Sequence, residues 1–261
     1  MAMRSPAAMR YHLLFALIAL ASFLIAGDRE NTSPSPVQQR IAAAQKRIQT
    51  DPKSWQSYND LAFALCRWAR DNGDVKLYEQ AESALQHSLQ LSPRNYDAKK
   101  LQVTVLLGEH EFTQALSLAT ELNNRAHDDI GVWGLLVDAH LAIGNYDKAE
   151  TAAQWILDLR RDSSLGFEKA AFVRERFGDV EGAIEFLEEA SRRTAPSDAD
   201  QRAWLLTQNA RLQLAAGNLS QAQQLLNEAI KLFPDSQLAR DTVAKLRRAQ
   251  GDYADARASK Q

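Results

Sequence analysis

Ala81, Ala115, Ala149 and Ala183 fall 34 residues apart, and after one step of 39 the same interval separates Ala222 from Ala256. A fixed period of this length marks a chain built from one supersecondary unit stacked on copies of itself, each copy packing on its neighbours. The period is carried by a longer phrase, glycine, a spacer, an aromatic or branched residue, two spacers and alanine. It recurs as Gly144 to Ala149, Gly178 to Ala183, Gly217 to Ala222 and Gly251 to Ala256. Glycine suits a point where the chain leaves one helix and reverses through positive φ, because it lacks the Cβ that makes this backbone costly. Tyr146, Val180, Leu219 and Tyr253 then plug the corner. The alanine sits where a second helix crosses the first, and a larger side chain would cost about 1–3 kcal/mol in overpacking.

Counting twelve residues back from each alanine gives Val103, Val137, Ala171, Ala210 and Ala244, the matching small face of a first helix. Trp133, Phe167 and Leu206, one turn earlier, are expected to fill the space between adjacent helices, and Ala190 and Ala229 to make a close contact late in the second helix. Pro93 and Pro234 end second helices, since proline cannot continue them. From about Ser54 to Gln261 the pattern resembles the tetratricopeptide repeat, a helix-turn-helix unit. The resemblance implies an all-α fold, a right-handed superhelical solenoid of antiparallel helix pairs with about five full repeats and partial units at each end.

Departures from the pattern carry expectations of their own. Nineteen residues separate Ala62 from Ala81 where twelve separate later pairs, so the helices around Asp71 to Asp74 should be about two turns longer in total and the hairpin should project. His110 stands where the other turns place glycine, which makes that turn the least typical. The step of 39 falls in Thr194 to Gln201, whose turn formers read as an extended loop that shifts the stagger of the superhelix. Gln38 to Pro52 matches the end of a second helix, with Ala44 and Ile48 on the buried face and Arg, Lys and Gln toward water, a half repeat capping the array. The sixth unit has a first helix but stops five residues after Ala256. Such an unfinished unit leaves an apolar edge open to self-association through the C-terminal end.

Arg4 and Arg10 precede an uncharged run from Leu13 to Ala26, which reads as an export signal. An uncleaved anchor at residues 11–27 and a cleaved signal peptide both fit, beside a buried apolar helix of the fold. Positive charge before the run, with Asp28 and Glu30 after it, places the rest on the non-cytoplasmic side, in bacteria the periplasm. Residues 1–27 thus form the signal or anchor, 28–37 a tether with Pro34 and Pro36, and 38–261 the solenoid.

Chemistry is scarce. With one cysteine, Cys66, an internal disulfide is excluded, and the formal charge of −2 provides no footprint for nucleic acid. The five histidines share no ligand spacing, and the chain contains no nucleophile elbow, phosphate-cradling glycine loop or His-Glu-x-x-His. The reading is a protein that is not an enzyme and takes no cofactor or metal.

In the family it resembles, first helices line a concave groove that holds partner peptides. By register that groove comprises Asn59, Phe63 and Arg67, then Lys100 and Thr104, Gly134, Asp138 and Leu141, Glu168, Phe172 and Glu175. Trp204, Thr207 and Arg211, with Asp241, Lys245 and Arg248, complete it. Phe63, Phe172 and Trp204 are the expected anchors, as exposed aromatic groups commonly are. The clamp with which some members grip acidic tails of cytosolic heat-shock chaperones is absent, because Phe63, Thr104 and Gly134 occupy its positions. A scaffold binding one protein or peptide is the leading expectation. An envelope assembly chaperone, as in cytochrome c maturation, and a regulatory subunit of an enzyme complex are the alternatives.

Overall fold

The computed structural model describes residues 34–251, and within them the chain forms twelve helices and no strand. The expected signal or anchor, most of the tether and the residues after Gly251 lie outside the described residues. A lone helix α1 (Pro36–Thr50) is followed by the pairs α2 (Trp55–Asn72) and α3 (Val75–Leu91), α4 (Tyr96–Gly108) and α5 (Phe112–Arg125), and α6 (Ile130–Ala142) and α7 (Tyr146–Leu159). Then come α8 (Ser164–Arg176) and α9 (Val180–Arg193), α10 (Ala199–Ala215) and α11 (Leu219–Leu232), and α12 (Gln237–Gln250). Among the described residues no helix is long and apolar enough to cross a membrane.

Ala81, Ala115, Ala149, Ala183 and Ala222 are fully buried, as are Val103, Val137, Ala210 and Ala244 on the facing helices. This is the close crossing that the spacing predicts. Gly144, Gly178, Gly217 and Gly251 take positive φ between 79° and 93°, and His110 adopts the same left-handed turn at φ 64°. The turn at His110 therefore keeps the geometry of the others, at the steric cost that a Cβ brings to this backbone.

Helix α1 begins earlier than the boundary at Gln38 implies. Ser35 caps it, accepting from the Gln38 amide while its own amide donates to Gln38 Oε1 at 2.9 Å, and Pro36 fills the first turn where no N–H is needed. Val37 is buried with Ile41, Ala44 and Ile48, so the array starts inside the expected tether. The water-facing role expected for the basic side chains of α1 fails at Arg40, which pairs with Asp200 at 2.8 Å.

The first full repeat is long as expected, with 18 residues in α2 and 17 in α3 against 13 and 14 in α8 and α9. It does not project. First helices pack closely on the next first helix from α2 to α8 and again from α10 to α12, whereas across the step of 39 α8 and α10 meet through long side chains, Phe172 on Trp204 and Glu175 on Arg211. The C-terminal half of α2 reaches the starts of α10 and α12 through Arg67, Arg70 and Asp71. One apolar cluster consequently joins Ile41, Tyr58 and Leu65 of the first units to Ala203, Leu206 and Phe233 of the last. Each large side chain buried there contributes roughly 1.5–3 kcal/mol. At the far tip, Asp71 accepts from Ser236 Oγ at 2.6 Å and from the Gln237 amide at 3.0 Å, at the N-terminus of α12. The array thus curls until its first repeat rests on its last.

Candidate functional site

Closure decides what the concave face can offer. Arg67 reaches Asp200 at 2.7 Å and Asp198 at 2.9 Å, with side-chain exposures of 11% and 5% for Arg67 and Asp200 marking a nearly dry pair. Arg70 donates to Gln201 Oε1 at 2.8 Å, and the Gln201 amide donates in turn to Glu168 Oε2 at 2.7 Å. Glu168 pairs with Lys169 at 2.9 Å, which also reaches Asp138 at 2.8 Å. A continuous polar network therefore runs from α2 through α10 and α8 to α6. Burial alone would discharge Lys169, but Asp138 and Glu168 beside it outweigh burial and hold its ammonium above the ordinary lysine range.

The expected groove residues divide accordingly. Asn59 is buried and structural, since Ser88 Oγ and Asn95 Nδ2 both donate to its Oδ1, at 2.7 and 3.3 Å. Trp204, expected as an exposed anchor, is 9% exposed. Phe172 meets it edge-on at 5.6 Å, and the Arg70 guanidinium covers its face. Gly134, Glu168 and Thr207 are buried as well. Arg211 forks onto Glu175 at 2.8 and 2.7 Å, and Lys100 pairs with Asp129 at 2.8 Å. Phe63, Lys245 and Arg248 are exposed, while Lys100, Thr104, Asp138, Leu141, Phe172, Arg211 and Asp241 are half-buried. Accessible positions thus form a band along α2, α4, α6 and α8, with Lys245 and Arg248 set apart from it on α12 beyond the buried Trp204 and Thr207 of α10.

Arg40, Arg70, Lys169, Asp198, Asp200 and Gln201 shape the concave face and were not predicted from sequence. The signal that could have found them was the coincidence of two irregularities, an overlong first repeat and one overlong step. Each alone reads as a local loop event. Outside the concave face, Trp155 is 47% exposed and stacks on Trp133 with ring centroids 5.9 Å apart.

These paired helices, with small residues at each crossing and a left-handed turn between, define a helix-turn-helix repeat fold. Residues 176–246 match the tetratricopeptide repeat family, and the array as a whole has that family's fold. Over those residues the chain carries tetratricopeptide repeats. It is similar to a chain of the APC/C hetero-tetramer Cut9-Hcn1, with a TM-score of 0.68 at 15% identity over 84% of this chain and 40% of that one. It thus spans less than half the length of that relative. It is also similar to TTC0263, a thermophilic TPR protein of Thermus thermophilus, with a TM-score of 0.62 at 17% identity over 76% of this chain and 99% of that one. For pilF of Pseudomonas aeruginosa the TM-score is 0.51 at 16% identity, over 78% and 88% of the two chains. A comparison of the sequence with curated proteins found no match.

Proposed function

We propose that this protein is a non-enzymatic scaffold that holds one protein or peptide partner on the accessible band of its concave face. The observation that carries the reading is the row of half-buried side chains on consecutive first helices, Lys100 and Thr104, then Asp138 and Leu141, then Phe172. A band of this kind presents an aromatic group, aliphatic surface and charge on a frame that is already ordered. Most of the ordering cost on association then falls on the partner. Phe63, at 46% exposure with Arg67 beside its ring, extends the band at the α2 end.

The scaffold acts, in this proposal, on the extracytoplasmic side of a membrane, held there through residues 11–27. The uncharged run after Arg4 and Arg10 supports that placement. Copurification from a membrane extract tests the function. Full-length chain should retain a partner that a Phe63→Ser, Thr104→Arg, Phe172→Ser variant loses while keeping its helical circular dichroism. Equal recovery by the two chains overturns the concave reading. Protease added from the extracytoplasmic side should digest the repeats, and full protection there overturns the placement.

A further inference from the structure

The step of 39 residues opens a second space, on a different face of α10 from that bearing Gln201 and Trp204. Between α9, the 194–198 loop, α10 and α11 lies a cleft of about 460 Å³, a size in the usual range for ligand sites of roughly 300–1,000 Å³. Leu187, Leu205, Leu206 and Leu225 make its floor and wall apolar. Asn209 also borders it, 2% exposed, with a side-chain Oδ1 that has no hydrogen-bond partner among the described residues. The same register holds Ala170 one repeat earlier and Leu136 two repeats earlier, so the fold itself does not require an amide there. A buried acceptor without a donor is costly and uncommon in folded proteins, which points to a donor supplied from outside.

The rim indicates what that donor comes with. Arg202 pairs with Glu228 at 3.5 Å and Arg192 pairs with Glu189, whereas Glu188 is exposed and makes no ion pair among the described residues. We propose that this cleft is a second peptide-binding site, taking a partner segment with an aliphatic residue next to a lysine or arginine. The aliphatic side chain rests on the leucines, its main-chain N–H donates to Asn209 Oδ1, and the basic neighbour faces Glu188. The hydrogen bond orients the segment and the apolar contact supplies most of the affinity, while the rim charge chooses among sequences. This site is independent of the concave band.

The test is fluorescence anisotropy of a labelled Gly-Lys-Leu-Lys-Gly amide titrated with full-length protein, beside the Lys-Ser-Lys and Glu-Leu-Glu versions. The Lys-Leu-Lys peptide should bind at least about tenfold more tightly than either. Asn209→Leu and, separately, Ser191→Trp, which fills the mouth of the cleft, should each weaken it by a similar factor, while the concave triple variant binds it as the wild type does. Asn209→Leu should melt no earlier than the wild type, so that lost binding is not lost folding. If it melts earlier, Ser191→Trp on the rim decides. Absence of saturable binding into the millimolar range, equal binding of the serine peptide, or binding that survives Ser191→Trp overturns the proposal. So does binding that survives Asn209→Leu.

Discussion

The guanidinium of Arg70 sits over the indole of Trp204, its central carbon 4.0 Å from the ring centroid, and joins the first repeat of this array to its fifth. A cation over a desolvated aromatic face contributes on the order of 2 kcal/mol, but the larger consequence is positional. Arg70 roofs the ring that a partner would otherwise find on an open groove.

Trp204 should therefore behave as a core residue. Replacing it by serine is expected to cost about 3–5 kcal/mol, as large-to-small aromatic truncations in a core do. Urea unfolding followed by circular dichroism measures it, and a loss below about 1 kcal/mol would show that the ring is not packed as described.

Arg67 and Asp200 should be strongly coupled. Removing either leaves the other a second partner, Arg40 for Asp200 and Asp198 for Arg67, so each change should cost less than the about 3–5 kcal/mol of an isolated buried pair, and removing both costs less than the sum. A double-mutant cycle with Arg67→Ala and Asp200→Ala checks this. Additivity within about 0.5 kcal/mol would mean the pair contributes nothing as a pair.

The contact between Asp71 and α12 should carry its own pH dependence. Burial pushes the Asp71 carboxyl above its ordinary value of 3.8, against hydrogen bonds from Ser236 and Gln237. The folded chain then holds a proton that the unfolded chain has released. The stability from this group is full below the ordinary carboxylate pKa and is lost as pH rises through the folded value. Relative to wild type, Asp71→Asn should therefore gain stability as pH rises above about 4. Asp198 runs the other way. Burial would raise it, but Arg67 and Arg40 outweigh burial and hold it below its ordinary value, so its contribution is present above that value and lost as pH falls. Arg67→Ala should accordingly hurt most near neutrality and least in acid. Chemical denaturation across pH reads both, and parallel curves for Asp71→Asn and wild type would refute the assignment at Asp71.

The turns offer a test of backbone cost. Gly178, at φ 82°, should lose about 1–2 kcal/mol on replacement by alanine. His110→Gly relieves the same conformation but adds unfolded-chain entropy and removes the edge contact with Phe112, so it should shift stability by less than about 1 kcal/mol. Thermal melts distinguish the two, and a Gly178→Ala variant as stable as wild type would contradict the turn geometry.

What was legible in the sequence follows from which interactions repeat. Ala149 and Gly144 recur at a fixed interval because each repeat meets its neighbour in the same way, so crossings and turns could be read directly. The half repeat was legible too, because Ile48 and Ala44 align with a known buried face. Closure was not. Arg67 and Asp200 meet once, across the array and outside the period, and no local pattern distinguishes that arginine from one pointing into water. The misreading of Trp204 has the same origin, since its register gives an open groove and its burial depends on α2. Asn209 was passed over because its register marks it as one more interior position.

In an open solenoid each unit is held only by its neighbours, so the terminal units can unzip one after another. The hydrogen bond from Ser236 to Asp71 removes that freedom, because loosening the first hairpin also uncovers the start of the last helix. Unfolding should then be a single event instead of a progression inward from either end. Removing one terminal repeat from an expressed chain would forfeit support at the other, and such a chain must bring distant segments together before it gains their contacts, which slows its folding.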